Sequence, residues 1–228
     1  MARPRTRRPS VRTLYERLFR SLGPQHWWPA RSPFEVMVGA ILTQATNWHN
    51  VERAIAQLKV ARALSPKALA TSRATTLQRL IRSAGYFKQK AHRLQVFSRW
   101  YLARYGANAR RAFRTDPWTL RRQLLEIPGI GPETADSILL YAGHQPVVVV
   151  DAYTRRIFRR HELIAGDEPY DTIQQFVMDR LPENPMLFNE FHALLVEAGK
   201  RYCHRRNPEC PRCPLGDLPR KLEVTDHG

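Results

Sequence analysis

The sequence predicts an all-α fold, and three observations carry that expectation. Helix starts of the cap-plus-proline kind recur at Ser32-Pro33, Ser65-Pro66 and Asp116-Pro117, each a side-chain acceptor followed by a residue whose missing N–H costs nothing in a first turn. Apolar residues fall at three- and four-residue spacing through most of the chain. Only Val147–Val150 looks like a strand, and four residues without a partner do not make a sheet.

Residues 1–12 hold five arginines, two prolines and no acid, which describes a disordered basic arm, either a solvated tail or a segment that touches phosphates. Helical pattern begins at Thr13. Ser32-Pro33-Phe34-Glu35 forms a capping box and opens the run Phe34–Leu42, apolar nearly all round and therefore central. Thr76–Ser83 ends at Ala84-Gly85, a helix stop, and Lys88–Tyr105 sets Leu94, Phe97, Tyr101 and Leu102 at helical spacing before Gly106. Trp118–Glu126 and Glu133–Tyr141 flank a glycine-containing connection. Ala152–Leu163, Tyr170–Leu181 and Leu187–Tyr202 complete about ten short helices, with no internal repeat.

The composition (228 residues, 43% hydrophobic, 25% charged) suits one large or two small globular domains. No stretch reaches the roughly 18 apolar residues of a membrane span. Lysine and arginine total 37 against 20 acidic residues, a net charge of +17 and a pI near 10.7. A surface that positive repels itself unless a polyanion or an acidic membrane offsets it. Only six of the cations are lysine, and arginine is the better bidentate phosphate ligand, so nucleic acid is the expected partner and a membrane is not. The three cysteines, Cys203, Cys210 and Cys213, are odd in number and too confined for a secreted disulfide framework. No apolar signal segment precedes the chain, and Arg7-Arg8 lacks the apolar run of an export signal. A cytoplasmic, nucleoid-associated monomer is expected.

Four stretches carry chemistry. Ile127-Pro128-Gly129-Ile130-Gly131-Pro132-Glu133-Thr134-Ala135 places two glycines one residue apart between helices. With no side chain over its amides, such a hairpin suits a phosphodiester; a plain helix connection is the alternative. Asp151 follows the valines and precedes a helix. It can cap that helix, and the same carboxylate, kept ionised by the helix dipole, can stabilise a cationic sugar and orient water. Cys203-x6-Cys210-x2-Cys213 has the ligand spacing of a zinc or iron–sulfur site, and Lys200, Arg201, Arg205, Arg206 and Arg212 give that loop a basic face. Gln44 and Trp48, just beyond the apolar run, read by pattern alone as a helix-end polar group and a packing residue.

These pieces occur in one order: LTQAT at 42–46, IPGIGPETA at 127–135, VVVVDAYTRRIF at 147–158, then the cysteine loop. That order resembles the endonuclease III branch of the helix-hairpin-helix (HhH-GPD) DNA glycosylases, in particular the endonuclease III-related proteins, from about Ser32 to Cys213. The resemblance implies a two-domain all-α fold. A six-helix barrel would span 34–147 and carry the hairpin at 127–135. A second helical domain would combine 13–33 with 148–228 and end in the cysteine loop 203–213. It also implies roles: Gly129, Ile130 and Gly131, with Thr134, hold the damaged strand's phosphate, often through a bound monovalent cation. Gln44 fills the gap left by the flipped nucleotide, and Asp151 is the catalytic carboxylate. Flipping is needed because the glycosidic bond is out of reach inside a stacked duplex.

Two departures change what the resemblance implies. In bifunctional endonuclease III the hairpin helix carries a lysine that attacks the sugar C1′ and forms a Schiff base. The matching position is Glu133, and a carboxylate cannot form an imine. The family's cysteine pattern continues through five residues to a fourth cysteine, where this chain has Pro219. A [4Fe–4S] cluster then needs a non-cysteine ligand, with Asp217, His204 and His227 nearest. A [3Fe–4S] cluster, zinc or no metal are the alternatives. Adenine-excising relatives carry a glutamate five residues before the glutamine, and here that position is Gly39. The expected protein is a monofunctional base-excision DNA glycosylase acting on damaged duplex DNA, with alkylated purines its first substrate class and oxidised pyrimidines its second. A bifunctional glycosylase/AP lyase and a non-catalytic damaged-DNA-binding protein are the rivals, and a structural zinc module is a third reading. If a lyase step survived, Lys90 or the N-terminus would have to supply the amine.

Overall fold

A computed structural model describes residues 8–222. Among them are twelve α-helices and no strand, which is the all-α fold expected. They divide into two compact units, one of the described residues through Trp27 plus those from Pro146 onward, the other Trp28–Gln145. Residues 28–33 thus sit with the unit that carries the hairpin, and residues 146–147 with the other. For the former the reason is Trp28, whose ring stacks edge-on against Trp48 (centroids 5.0 Å apart) and beside Tyr141 (5.0 Å).

Helix α1 (Val11–Leu22) starts inside the segment read as a basic arm. Ser10 Oγ accepts from Thr13 N at 3.0 Å, and Val11, Leu14 and Leu18 are fully buried. The arm therefore stops at Ser10, and residues 1–7 lie outside the described range.

The unit Trp28–Gln145 contains α2 (Pro33–Leu42), α3 (Trp48–Val60), α4 (Pro66–Thr71), α5 (Ala74–Leu80), a 3-10 turn at Arg82–Ala84 and α6 (Phe87–Tyr105). These are followed by α7 (Ala109–Phe113), α8 (Pro117–Leu125) and α9 (Pro132–Ser137), which widens into a π turn over Ile138–Ala142. The cap-plus-proline starts form as the sequence dictates: Ser32, Ser65 and Asp116 accept from Glu35 N, Ala68 N and Thr119 N. Every residue of α2 from Glu35 to Leu42 is buried, so it is the central helix, and its one charge, Glu35, is answered by Lys59 Nζ at 2.6 Å. The long helix α6 packs across α4 and α5. Its Lys90 is 1% exposed, and Nζ donates to Leu42 O (2.9 Å) and Ala84 O (2.6 Å), tying off the ends of α2 and the 3-10 turn. Burial, with Arg93 nearby, pushes its pKa down to about 8.

In the other unit, α10 (Ala152–Arg160), α11 (Tyr170–Met178) and α12 (Pro185–Arg201) complete the set, with α12 packed on both α1 and α10. Leu14, Leu18, Phe158, Val177, Phe188, Phe191 and Leu194 form its core. The run Val147–Val150 is buried but pairs with no strand. Its backbone is satisfied by α11 side chains instead: Val150 N donates to Tyr170 Oη at 3.2 Å, and Val148 O accepts from Gln174 Nε2 at 2.6 Å.

Candidate functional site

The glycine connection is held rigid from both sides. Arg121 on α8 grips Asp136 on α9 through two parallel bonds, Nε to Oδ1 at 2.8 Å and Nη2 to Oδ2 at 3.2 Å, with the Asp136 side chain fully buried. Ile127 and Ile130 are buried beneath the loop, and Ile130 N closes a turn onto Ile127 O at 3.0 Å. Pro128, Gly129, Gly131 and Pro132 stay exposed, so Ile130 can reach a ligand only through its backbone. Gly129 has φ +86, where an L side chain is strained, and an added Cβ would overlap the Arg93 side chain. Gly131 differs. Its φ is −95, and nothing lies within 4 Å of an added Cβ. Folding does not demand a glycine there; an open face over the amide is what it leaves.

Gln44 is brought to this hairpin across 85 residues of sequence. Its Nε2 donates to Gly129 O at 2.9 Å and to Thr134 Oγ1 at 2.9 Å, and its Oε1 accepts from Arg93 Nη1. Thr134 is 6% exposed, so its hydroxyl serves Gln44 and not solvent. Glu133 is exposed beside it. One further residue, Arg93, was not singled out in the sequence. Tyr86, which precedes α6, is 66% exposed and held at φ +44.

Asp151 is 8% exposed and caps α10 as its position suggested. Oδ1 accepts from Thr154 N at 2.7 Å and from Thr154 Oγ1 at 2.9 Å, while Oδ2 lies 3.6 Å from His192 Nε2 on α12. Burial pushes this carboxyl up, but His192 and the two Thr154 donors outweigh it and hold it below its ordinary value. The cap read from the sequence is therefore made by one oxygen, and the other oxygen is left beside His192. His192 had no signal of its own, being one more residue on the inward side of an amphipathic helix.

Helix α10 also orders the cysteine loop. Arg156 Nε donates to Cys203 O at 2.6 Å, Arg160 Nη1 to Cys203 Sγ at 3.1 Å, and Arg160 Nη2 to Arg205 O at 3.1 Å. Burial raises the Cys213 thiol pKa, and the neighbouring Cys203 and Cys210 add to the rise. Among the described residues, however, no group of three or more His, Cys, Asp or Glu side chains is gathered to hold a metal. Of the proposed fourth ligands, Asp217 is paired with Arg17, His204 lies 3.5 Å from Glu209, and His227 is outside the described range. Among the described residues, the three thiols and their neighbours do not make a set of four protein ligands.

With this geometry in place, comparison with known proteins assigns the family. Residues 38–183 match the model of the HhH-GPD superfamily base excision DNA repair proteins. A Methanocaldococcus jannaschii protein assigned as a DNA repair glycosylase is 43% identical over 90% of this chain and 93% of its own length. Endonuclease III of Thermotoga maritima is 32% identical over 80% of each chain. Among solved structures, the 3-methyladenine DNA glycosylase of Helicobacter pylori bound to 1,N6-ethenoadenine superposes with a TM-score of 0.74 at 28% identity, over 85% of this chain and 98% of that one. The chain is thus an endonuclease III-related member of the HhH-GPD superfamily of base excision DNA glycosylases.

Proposed function

We propose that this protein is a monofunctional DNA glycosylase that hydrolyses alkylated purines from duplex DNA, acting as a cytoplasmic monomer. The observation that carries this reading is Glu133, an exposed carboxylate where bifunctional relatives hold their imine-forming lysine. Lys90 does not replace that lysine, because its ammonium is buried against two carbonyls. In this reading the amides around Gly129 and Gly131 hold a backbone phosphate of the damaged strand. The N-glycosidic bond breaks with its electron pair leaving on the base. Asp151, ionised by its surroundings, stabilises the sugar cation; water then adds at C1′ and passes its proton to the Asp151 carboxylate, which releases it to solvent. The strand is left intact at an abasic site.

Alkylated purines are favoured because many carry a formal positive charge, so the neutral base departs without prior protonation. The partly buried rings of Trp28 and Trp48, packed against the buried Tyr141, form an aromatic cluster of the kind that attracts such a cation. The Helicobacter relative, a 3-methyladenine DNA glycosylase, supports the same class. An adenine-excising role is disfavoured by Gly39. A Cβ there would already sit 3.0 Å from the Trp28 ring, so a glutamate would have to displace it. The cysteine loop takes no catalytic step in this reading. A metal there, iron–sulfur or zinc, needs a ligand beyond the three thiols.

The test is incubation with duplexes each carrying one lesion. Base release is expected from an alkylated purine, with strand breakage only after alkali and no covalent complex trapped by borohydride. A strong trap shows a working amine and makes the enzyme bifunctional; no release from any lesion leaves the non-catalytic binding reading. A second expectation concerns Gly131→Ala. Stability should change by less than about 1 kcal/mol, because the position has room and acceptable φ. Duplex affinity should fall about 10- to 100-fold, the worth of one hydrogen bond to a charged phosphate. Unchanged affinity would show that no phosphate approaches that face.

A further inference from the structure

Beside the hairpin, Lys88, Gln89, His92 and Arg93 at the start of α6 line an open groove of roughly 470 Å³ together with Pro128 and Gly129. No acidic side chain lines it. Lys88 and His92 are exposed, and among the described residues neither Lys88 nor Arg93 has a carboxylate partner. Arg93 lies so close along Gly129 that only a glycine fits beneath it. Its guanidinium is aimed by one bond, from Nη1 to the neutral Oε1 of Gln44. A guanidinium has five N–H donors in a planar fork, so most of its capacity remains for a ligand in the groove.

We propose that this groove is a second phosphodiester-binding subsite next to the hairpin, in which Arg93 is shared between Gln44 and the DNA backbone. The inference rests on the glycosylase reading above. Two cations without anionic partners, beside a loop already suited to phosphate, are the chemistry that a neighbouring phosphate of the same strand recognises. A phosphate entering the groove offers Arg93 a full negative charge, which the neutral amide oxygen of Gln44 does not. It therefore competes with Gln44 for the shared guanidinium and weakens the bond to Oε1, while Gln44 keeps its bonds to Gly129 O and Thr134 Oγ1. Capture of the backbone thereby loosens the glutamine that the family resemblance assigns to filling the gap in the duplex. Lys88 contributes charge alone; Arg93 contributes charge and the link to Gln44.

The test uses the full chain and a duplex carrying a tetrahydrofuran abasic analogue, with affinity measured against salt. Lys88→Ala and Arg93→Ala together should lower the slope of log affinity on log salt by at least about 0.9, the value for one phosphate contact on duplex DNA, and weaken binding about tenfold or more at low salt. Arg93→Lys should keep the slope, since the charge remains. Lys67→Ala, an exposed cation on α4 outside the groove, should leave the slope unchanged. Lys88→Ala does not touch Gln44, so a lowered slope in that single variant supports the subsite even if Arg93→Ala disturbs folding. An unchanged slope in the groove variants, or an equal loss in Lys67→Ala, overturns it. If wild type binds the duplex and releases base while the groove variants bind as wild type does, the subsite alone is wrong. If wild type does neither, the glycosylase reading falls and the subsite with it.

Discussion

Asp151→Asn should lower the rate of base release by about 10²–10³ while leaving duplex affinity unchanged or tighter, the size expected when one preorganised charge facing a developing cation is removed. The two carboxylate oxygens do different work. Oδ1 caps α10 through Thr154, and an asparagine carbonyl can accept the same two bonds. Oδ2, 3.6 Å from His192, is where the charge is lost. The substitution therefore separates the cap from the catalyst better than alanine, which would remove both. The pH dependence follows from the direction of the shift. Because His192 and Thr154 hold the carboxyl below its ordinary value against the effect of burial, the wild-type rate should keep its plateau down through the usual aspartate range and fall only below it. The same sign applies to stability: this group's contribution is present above the unfolded-state pKa and lost as pH falls through the lower folded-state value. Asp151→Asn should lose the acid limb of both profiles. Full activity in the variant would make Asp151 a helix cap and nothing more.

What the sequence disclosed was local. Ser32, Ser65 and Asp116 announce their helices because a cap and a following proline act within four residues, and each forms its bond in the structure. The burial of α2 was legible from its all-round apolarity, and the two glycines of the hairpin from their spacing. Helix α3 carries a readable signal too: Asn47 as a cap, then Val51, Ala54, Ile55 and Leu58 at helical spacing. The clamp of Arg93 on Gln44, and of Gln44 on the hairpin, had no such mark, because a contact across 85 residues leaves no periodicity in either segment. The same holds for His192 beside Asp151. Val147–Val150 misled for a related reason. Four valines look like a strand by propensity, but here side chains of α11 supply the backbone bonds that a neighbouring strand would otherwise provide.

The Arg121–Asp136 pair supplies the largest expected loss of stability. Asp136→Ala should destabilise the unit Trp28–Gln145 by about 3–5 kcal/mol, because it takes the carboxylate away from a guanidinium that is only 10% exposed. The cost comes from the charge left behind and not from the net worth of the pair, since two ions taken out of water lose much of what their attraction returns. Arg121→Met combined with Asp136→Ala should therefore recover most of the loss, which denaturant unfolding can measure in the two variants and in wild type. The pair also joins the helices on either side of the hairpin, α8 and α9, by two parallel bonds that fix both distance and rotation. An apolar replacement restores burial but not that direction. The double variant should then stay folded yet bind duplex DNA more weakly than wild type, because the glycine amides no longer converge as well on one phosphate. Equal affinity in the stable double variant would show that the buried isoleucines alone hold the loop. A double variant as unstable as Asp136→Ala would show that the arginine left behind is not the source of the loss.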